Sequence, residues 1–88
     1  MQVKANSIWF QDASRLSHWQ KLERDHSPEL ASYQKKELGS RNAWQFIKPL
    51  SVKILSYDVT TNQVNVELET ESRMKGSIWW LDANALVE

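Results

Sequence analysis

Asn62-Gln63-Val64-Asn65-Val66-Glu67-Leu68-Glu69 is the stretch whose reading decides the fold. Val64, Val66 and Leu68 alternate with Asn65, Glu67 and Glu69. Successive side chains of a strand point to opposite faces, so this spacing predicts one buried apolar face and one acidic, wetted face. A half-wetted strand belongs to an antiparallel sheet, because parallel strands are covered on both sides. Thr60-Thr61-Asn62-Gln63 reads as the turn before it, since Asn tolerates positive φ. Upstream, Leu50, Val52 and Ile54 alternate with polar residues, and Tyr57 and Val59 extend the run into the partner strand. Trp44, Phe46 and Ile47 lie on the other side of Pro49, which has no N–H for a ladder and so predicts an edge or a break between strands. Downstream, Ser72 to Gly76 turns the chain and Ile78-Trp79-Trp80-Leu81 predicts a third strand. Asp82-Ala83-Asn84-Ala85-Leu86 reads as one helical turn capped by Asp82, with Val87 closing the chain.

The first half of the chain has a different period. Leu16, Trp19 and Leu22 recur every three residues, which predicts a narrow apolar stripe on a helix running from about Ser14 to Asp25. Asp12 or Ser14 suits its start, and Arg15, Lys21, Glu23 and Arg24 belong on its wet side. Ser27-Pro28-Glu29 restarts a helix with Ser27 as cap and Pro28 at the first position. Leu30, Tyr33 and Leu38 would face the core, and Gly39 is placed as the left-handed stop. Ile8-Trp9-Phe10 reads as a strand or a packed extended arm. The expectation is one α+β domain over residues 1–88, with a helical segment at about 12–39 and a β-rich part at about 43–88. The N-terminal helical segment would pack on a small, strongly bent antiparallel sheet.

The chain has 88 residues, 41% apolar and 25% charged, which is ordinary globular usage and disfavours disorder. It has no cysteine, which excludes disulfides, thiolate metal sites and a thiol nucleophile. The formal net charge is zero. That total conceals +3 over residues 1–50, eight basic against five acidic, and −3 over residues 51–88. Met1 reads as an initiator and no apolar leader follows, so a complete, cytoplasmic protein without a membrane segment is expected.

Gly76-Ser77-Ile78-Trp79-Trp80-Leu81-Asp82-Ala83-Asn84-Ala85-Leu86-Val87-Glu88 resembles the last strands of SH3-like barrels of the bacterial type. In those, a Gly-x-x-x-Trp strand runs into a one-turn helix and a final Leu or Val re-enters the sheet. The hairpin around Asn62 fits the same meander. The resemblance implies a barrel over Trp44–Glu88, with the helical segment as an insertion or addition. It departs from peptide-binding SH3 domains at two places. Nothing between Val3 and Phe10 matches their Ala-Leu-Tyr-Asp-Tyr stretch, and Asp82 stands where they carry Pro. Only Trp79 or Trp80 carries over as a groove aromatic, so the resemblance bears on fold and leaves function open.

Five tryptophans in so short a chain stand out: Trp9, Trp19, Trp44, Trp79 and Trp80. Trp79 and Trp80 are strand neighbours, so one ring fills the interior and the other points outward, covered by the helices or by a partner. Rigid aromatic area is favoured at interfaces. The leading expectation is therefore a small protein-binding module of bacterial or phage type, an adaptor, inhibitor or assembly subunit. Its anchors would be Trp44, Tyr57, Trp79 and Trp80. The alternative is nucleic-acid binding, with Lys35, Lys36, Arg41 and Lys48 on phosphates and Trp44 as a stacking platform. Zero net charge speaks against that alternative. His18 and His26 are eight apart and lack metal-ligand spacing, so no metal or cofactor is expected. Ser14 and His18 share a helix face without an orienting acid, and no phosphate-binding Gly loop occurs, so the chain does not read as an enzyme. A homo-oligomer stays open.

Overall fold

The computed structural model describes residues 1–87; Glu88, the end of the stretch from Gly76 on which the resemblance rests, lies outside the described residues. The chain is α+β, with two helices and a seven-stranded antiparallel sheet. In chain order the elements are β1 (Gln2–Val3), β2 (Ile8–Phe10), α1 (Ala13–Arg24), α2 (Leu30–Gly39), β3 (Ala43–Gln45), β4 (Leu50–Asp58), β5 (Gln63–Leu68) and β6 (Ile78–Asp82). A 3-10 turn at Ala83–Ala85 then leads into β7 (Leu86–Val87). The strand order is β3-β2-β6-β5-β4-β1-β7, so β3 and β7 are the two edges and the sheet is open. No described helix is long and apolar enough to cross a membrane.

The apolar face of the alternating stretch lands as read, whereas the face expected in water is only partly wetted, with Asn65 and Glu67 half-buried and Glu69 exposed. Val64, Val66 and Leu68 are buried on one face of β5, between β4 and β6. Asn62 takes φ 55 in the turn before it. Facing residues place Val52 opposite Leu68, Ile54 opposite Val66 and Val66 opposite Trp79. Together with Val3, Trp9 and Leu81 these make the inner cluster. The register of β4 slips between Ile54 and Ser56, a bulge that leaves Leu55 as the extra residue. Beyond it Tyr57 faces Val64, so Ile54 and Tyr57 share the inner face although they are three apart.

The other face of the sheet carries a second cluster. Phe10 of β2, Leu16 of α1 and Ala43 of β3 form its centre, and Trp80, Trp19, Tyr33 and Leu38 pack against it. Leu16 is buried because the three-residue stripe of α1 turns this way. Asp12 caps α1 by accepting from the Ser14 N–H at 2.8 Å. His26, at φ 50, ends that helix in the left-handed region.

Two helix-end expectations are corrected. Pro28 lies in a turn and α2 starts at Leu30, because Ser27 Oγ accepts from the Glu29 N–H and Ser27 O accepts from the Leu30 N–H, closing a turn first. Gly39 is the last helical residue and not the left-handed stop. Arg41, at φ 62, takes that role, with Arg41 N–H donating to Leu38 O and Asn42 N–H to Glu37 O.

Candidate functional site

The indoles go inward. Trp9 and Trp79 are 1% and 2% exposed, and their rings meet edge-on at 6.1 Å with Phe46 wedged against both. Trp79 is thereby removed as a surface anchor: β6 points it at the inner cluster, where its Nε1–H donates to Ser77 Oγ at 2.6 Å. Trp80 takes the opposite face, as strand neighbours must, and is half-buried in the cluster that Leu16 of α1 completes. The chain's own helix covers part of it, so no indole stands free on this face. Trp44 faces Trp9 across β2 and β3 and is half-buried against the inner cluster, so it is not a free stacking platform. Trp19 donates its Nε1–H to Gln34 Oε1 at 3.1 Å, bridging the two helices.

Tyr57 stands apart from the tryptophans. It is 53% exposed at the far end of β4, flanked by Leu55 at 43% and Val59 at 77%. A depression of about 340 Å³ lies beside it, lined by Met1, Ile54, Tyr57, Val64, Ala83 and Leu86. Its floor is the inner face of the sheet where the hairpin runs past the end of β1. The bulge positions Tyr57 over this depression, and the Tyr57 hydroxyl donates to Asn62 Oδ1 at 3.3 Å. The turn itself is held by Asp58, whose Oδ1 accepts from the Thr60 and Thr61 N–H groups. Met1, Leu55 and Val59 were not among the sequence anchors. In the sequence, Leu55 and Val59 follow a phase slip at Ile54-Leu55, where apolar positions pass from even to odd numbers, and that slip reads equally as a strand with both faces apolar; no sequence signal marks Met1.

Polar side chains stitch α1 to the sheet. Buried Gln63 donates to Ser17 Oγ at 2.8 Å and to Gln20 Oε1 at 3.0 Å. Gln20 donates to Asp82 Oδ2 at 2.9 Å, and Asp82 Oδ1 accepts from the Asn84 N–H that starts the 3-10 turn. Glu23 borders the same corner. Partial loss of solvent, and secondarily the charge of Asp82, pushes its pKa above the ordinary 4.5. Glu37 is the one buried acid among the described residues, and Arg15 Nη1 donates to both its oxygens. Burial, and then the Glu37 charge, raises the Tyr33 phenol beside this pair.

Lys35, Lys36, Arg41 and Lys48 are exposed and form no ion pair with a described residue. No group of three or more His, Asp or Glu converges among the described residues. No protein-family model, curated protein or solved structure matches the chain.

Proposed function

We propose that the chain is a protein-binding module whose docking surface is the apolar end of the β4–β5 hairpin: Tyr57 with Leu55, Val59 and the depression beside Met1 and Leu86. One observation carries this reading. A chain that buries two of its five indoles and half-buries the other three leaves a tyrosine and two aliphatic side chains in water on one projecting hairpin. Such a cluster costs solubility and contributes nothing to the core, whereas aromatic area of this kind anchors interfaces. The reading keeps Tyr57 from the sequence anchors and sets Trp44, Trp79 and Trp80 behind it as scaffold.

We also propose that the β-rich part is SH3-like, with the helical segment inserted ahead of the hairpin. Three features support it. β4, β5 and β6 form a meander, the strand bearing Trp79 and Trp80 runs into a one-turn helix, and Leu86–Val87 re-enters the sheet beside β1.

The docking reading is tested by placing a benzophenone photo-crosslinker at residue 57 and, as control, at residue 35. Protein adducts at 57 and none at 35 are the expected result. A second reading, nucleic-acid binding, rests on four exposed cations, Lys35, Lys36, Arg41 and Lys48, that form no ion pair among the described residues. Its discriminator is salt-sensitive retention of DNA or RNA, strongest at low ionic strength. Retention there together with no adduct at 57 would replace the docking reading.

A further inference from the structure

β4 has an unpaired side. Its first two residues pair with β1, as Leu50 with Val3 and Ser51 with Gln2, and the Val52 N–H reaches Met1 O at 2.9 Å. From Lys53 to Asp58 only β5 is alongside, on one side. Among the described residues no backbone group meets the other side of this segment. A row of unpaired N–H and C=O groups is a template for another strand. Interior edge strands are usually blunted by proline or by very short length. This one is six residues long, has no proline, and carries the exposed Leu55 and Tyr57.

We infer that the open edge Lys53–Asp58 is a strand-addition site for the same edge of a second copy of this chain, the two strands running antiparallel about Leu55–Ser56. This rests on the docking reading above and names the occupant of that surface. The charges select the occupant. In that register Lys53 of each copy lies opposite Asp58 of the other, and Ile54 opposite Tyr57. The faces agree as well. The bulge puts Ile54 and Tyr57 together on the inner face and leaves Lys53 and Asp58 together on the opposite one. Without the bulge, residues three apart would fall on different faces and neither pairing would form. The arrangement is two-fold, so each favourable pair occurs twice, as an isologous interface requires. Lys53 is thus both the usual guard against indiscriminate edge pairing and the residue that admits one partner. Tyr57 would then cover the depression at the partner's hairpin as well as its own.

The test is a charge exchange read by sedimentation velocity over a concentration series. Wild type should show a monomer–dimer equilibrium. K53D sets Asp against Asp in its own dimer and D58K sets Lys against Lys, so each alone should associate about tenfold more weakly or worse. An equimolar mixture of the two restores both opposite-charge pairs in a heterodimer and should recover wild-type association. Asp58 also holds the turn, so a second measurement avoids it. The chain has no native cysteine, and S56C carries a single nitroxide. The labels should lie about 1–2 nm apart across the two-fold, given strand spacing near 5 Å plus two label arms. A wild type that stays monomeric throughout, a dimer indifferent to both charge changes, or labels well beyond that distance overturns the inference. Adducts from residue 57 to a different protein, with a monomeric chain, would overturn the inference and leave the docking reading standing. The absence of any adduct would remove both.

Discussion

Glu37 and Arg15 make an unequal pair. Glu37 is 3% exposed, while 41% of the Arg15 side chain is in solvent. Truncating one partner is therefore not equivalent to truncating the other. Arg15→Ala strands a carboxylate inside the helix pair and should cost about 3 kcal/mol in urea unfolding. Glu37→Leu frees Arg15 to turn into water and should cost under about 1 kcal/mol. Equal costs would show that the buried acid is solvated by some other route. Glu23 makes a pH-dependent prediction. Its folded pKa is raised, so its contribution to stability is complete below the ordinary 4.5 and declines as pH rises through the higher folded value. Glu23→Gln should accordingly melt above wild type at about pH 7 and converge with it near about pH 4. A constant gap across that window would show that Asp82 and partial burial do not act on this carboxyl.

Within single elements, packing separates side chains that the sequence presents as equals. Trp79 and Trp80 are neighbours in β6, yet one sits wholly in the inner cluster and the other is half-buried under α1. Trp79→Ala should cost about 3–5 kcal/mol, enough to threaten a domain this small, and Trp80→Ala about 2 kcal/mol, both measured by urea unfolding. The reverse order would place the main core on the helix side of the sheet. Arg41 gives a prediction of the opposite sign. A left-handed non-glycine residue costs about 1 kcal/mol, so Arg41→Gly should raise stability by roughly 0.5–1 kcal/mol. Elements with a clean period were legible in advance: β5 from its alternation, α1 from its stripe, and the 3-10 turn from the Asp82 cap. The ends of α2 were not. Gly39 is the evident helix stop by residue type, but local hydrogen bonds carried the chain two residues further, and nothing in the identity of Arg41 announces positive φ. β1 was equally hidden, because two residues hold no period and Val3 is buried only through partners far along the chain.

At the scale of the whole molecule, the abundance of tryptophan read as surplus and proved to be structure. A sheet with two covered faces needs two sets of large side chains, and a chain of 88 residues has few others to offer. Trp9 and Trp79 fill one face; Trp19 and Trp80 pack on the other. Counting indoles against a single core therefore overstated what was left for a partner, while Tyr57, only one of several aromatic candidates, remained outside. What hid the exposed apolar end of the hairpin was the bulge, since a phase slip between Ile54 and Leu55 is indistinguishable in sequence from a strand with both faces apolar. The distinction is open to a fluorescence measurement that needs no knowledge of any partner. Folded protein should emit at a blue-shifted wavelength, and acrylamide should quench it several-fold less than the urea-unfolded chain, because every tryptophan is buried or half-buried. Val59→Ser and Tyr57→Ser should leave both readings unchanged while reducing association, as those side chains stand in water and support no ring. Strong native quenching would mean that an indole is open to solvent after all, and the docking surface would then have to be sought among the tryptophans.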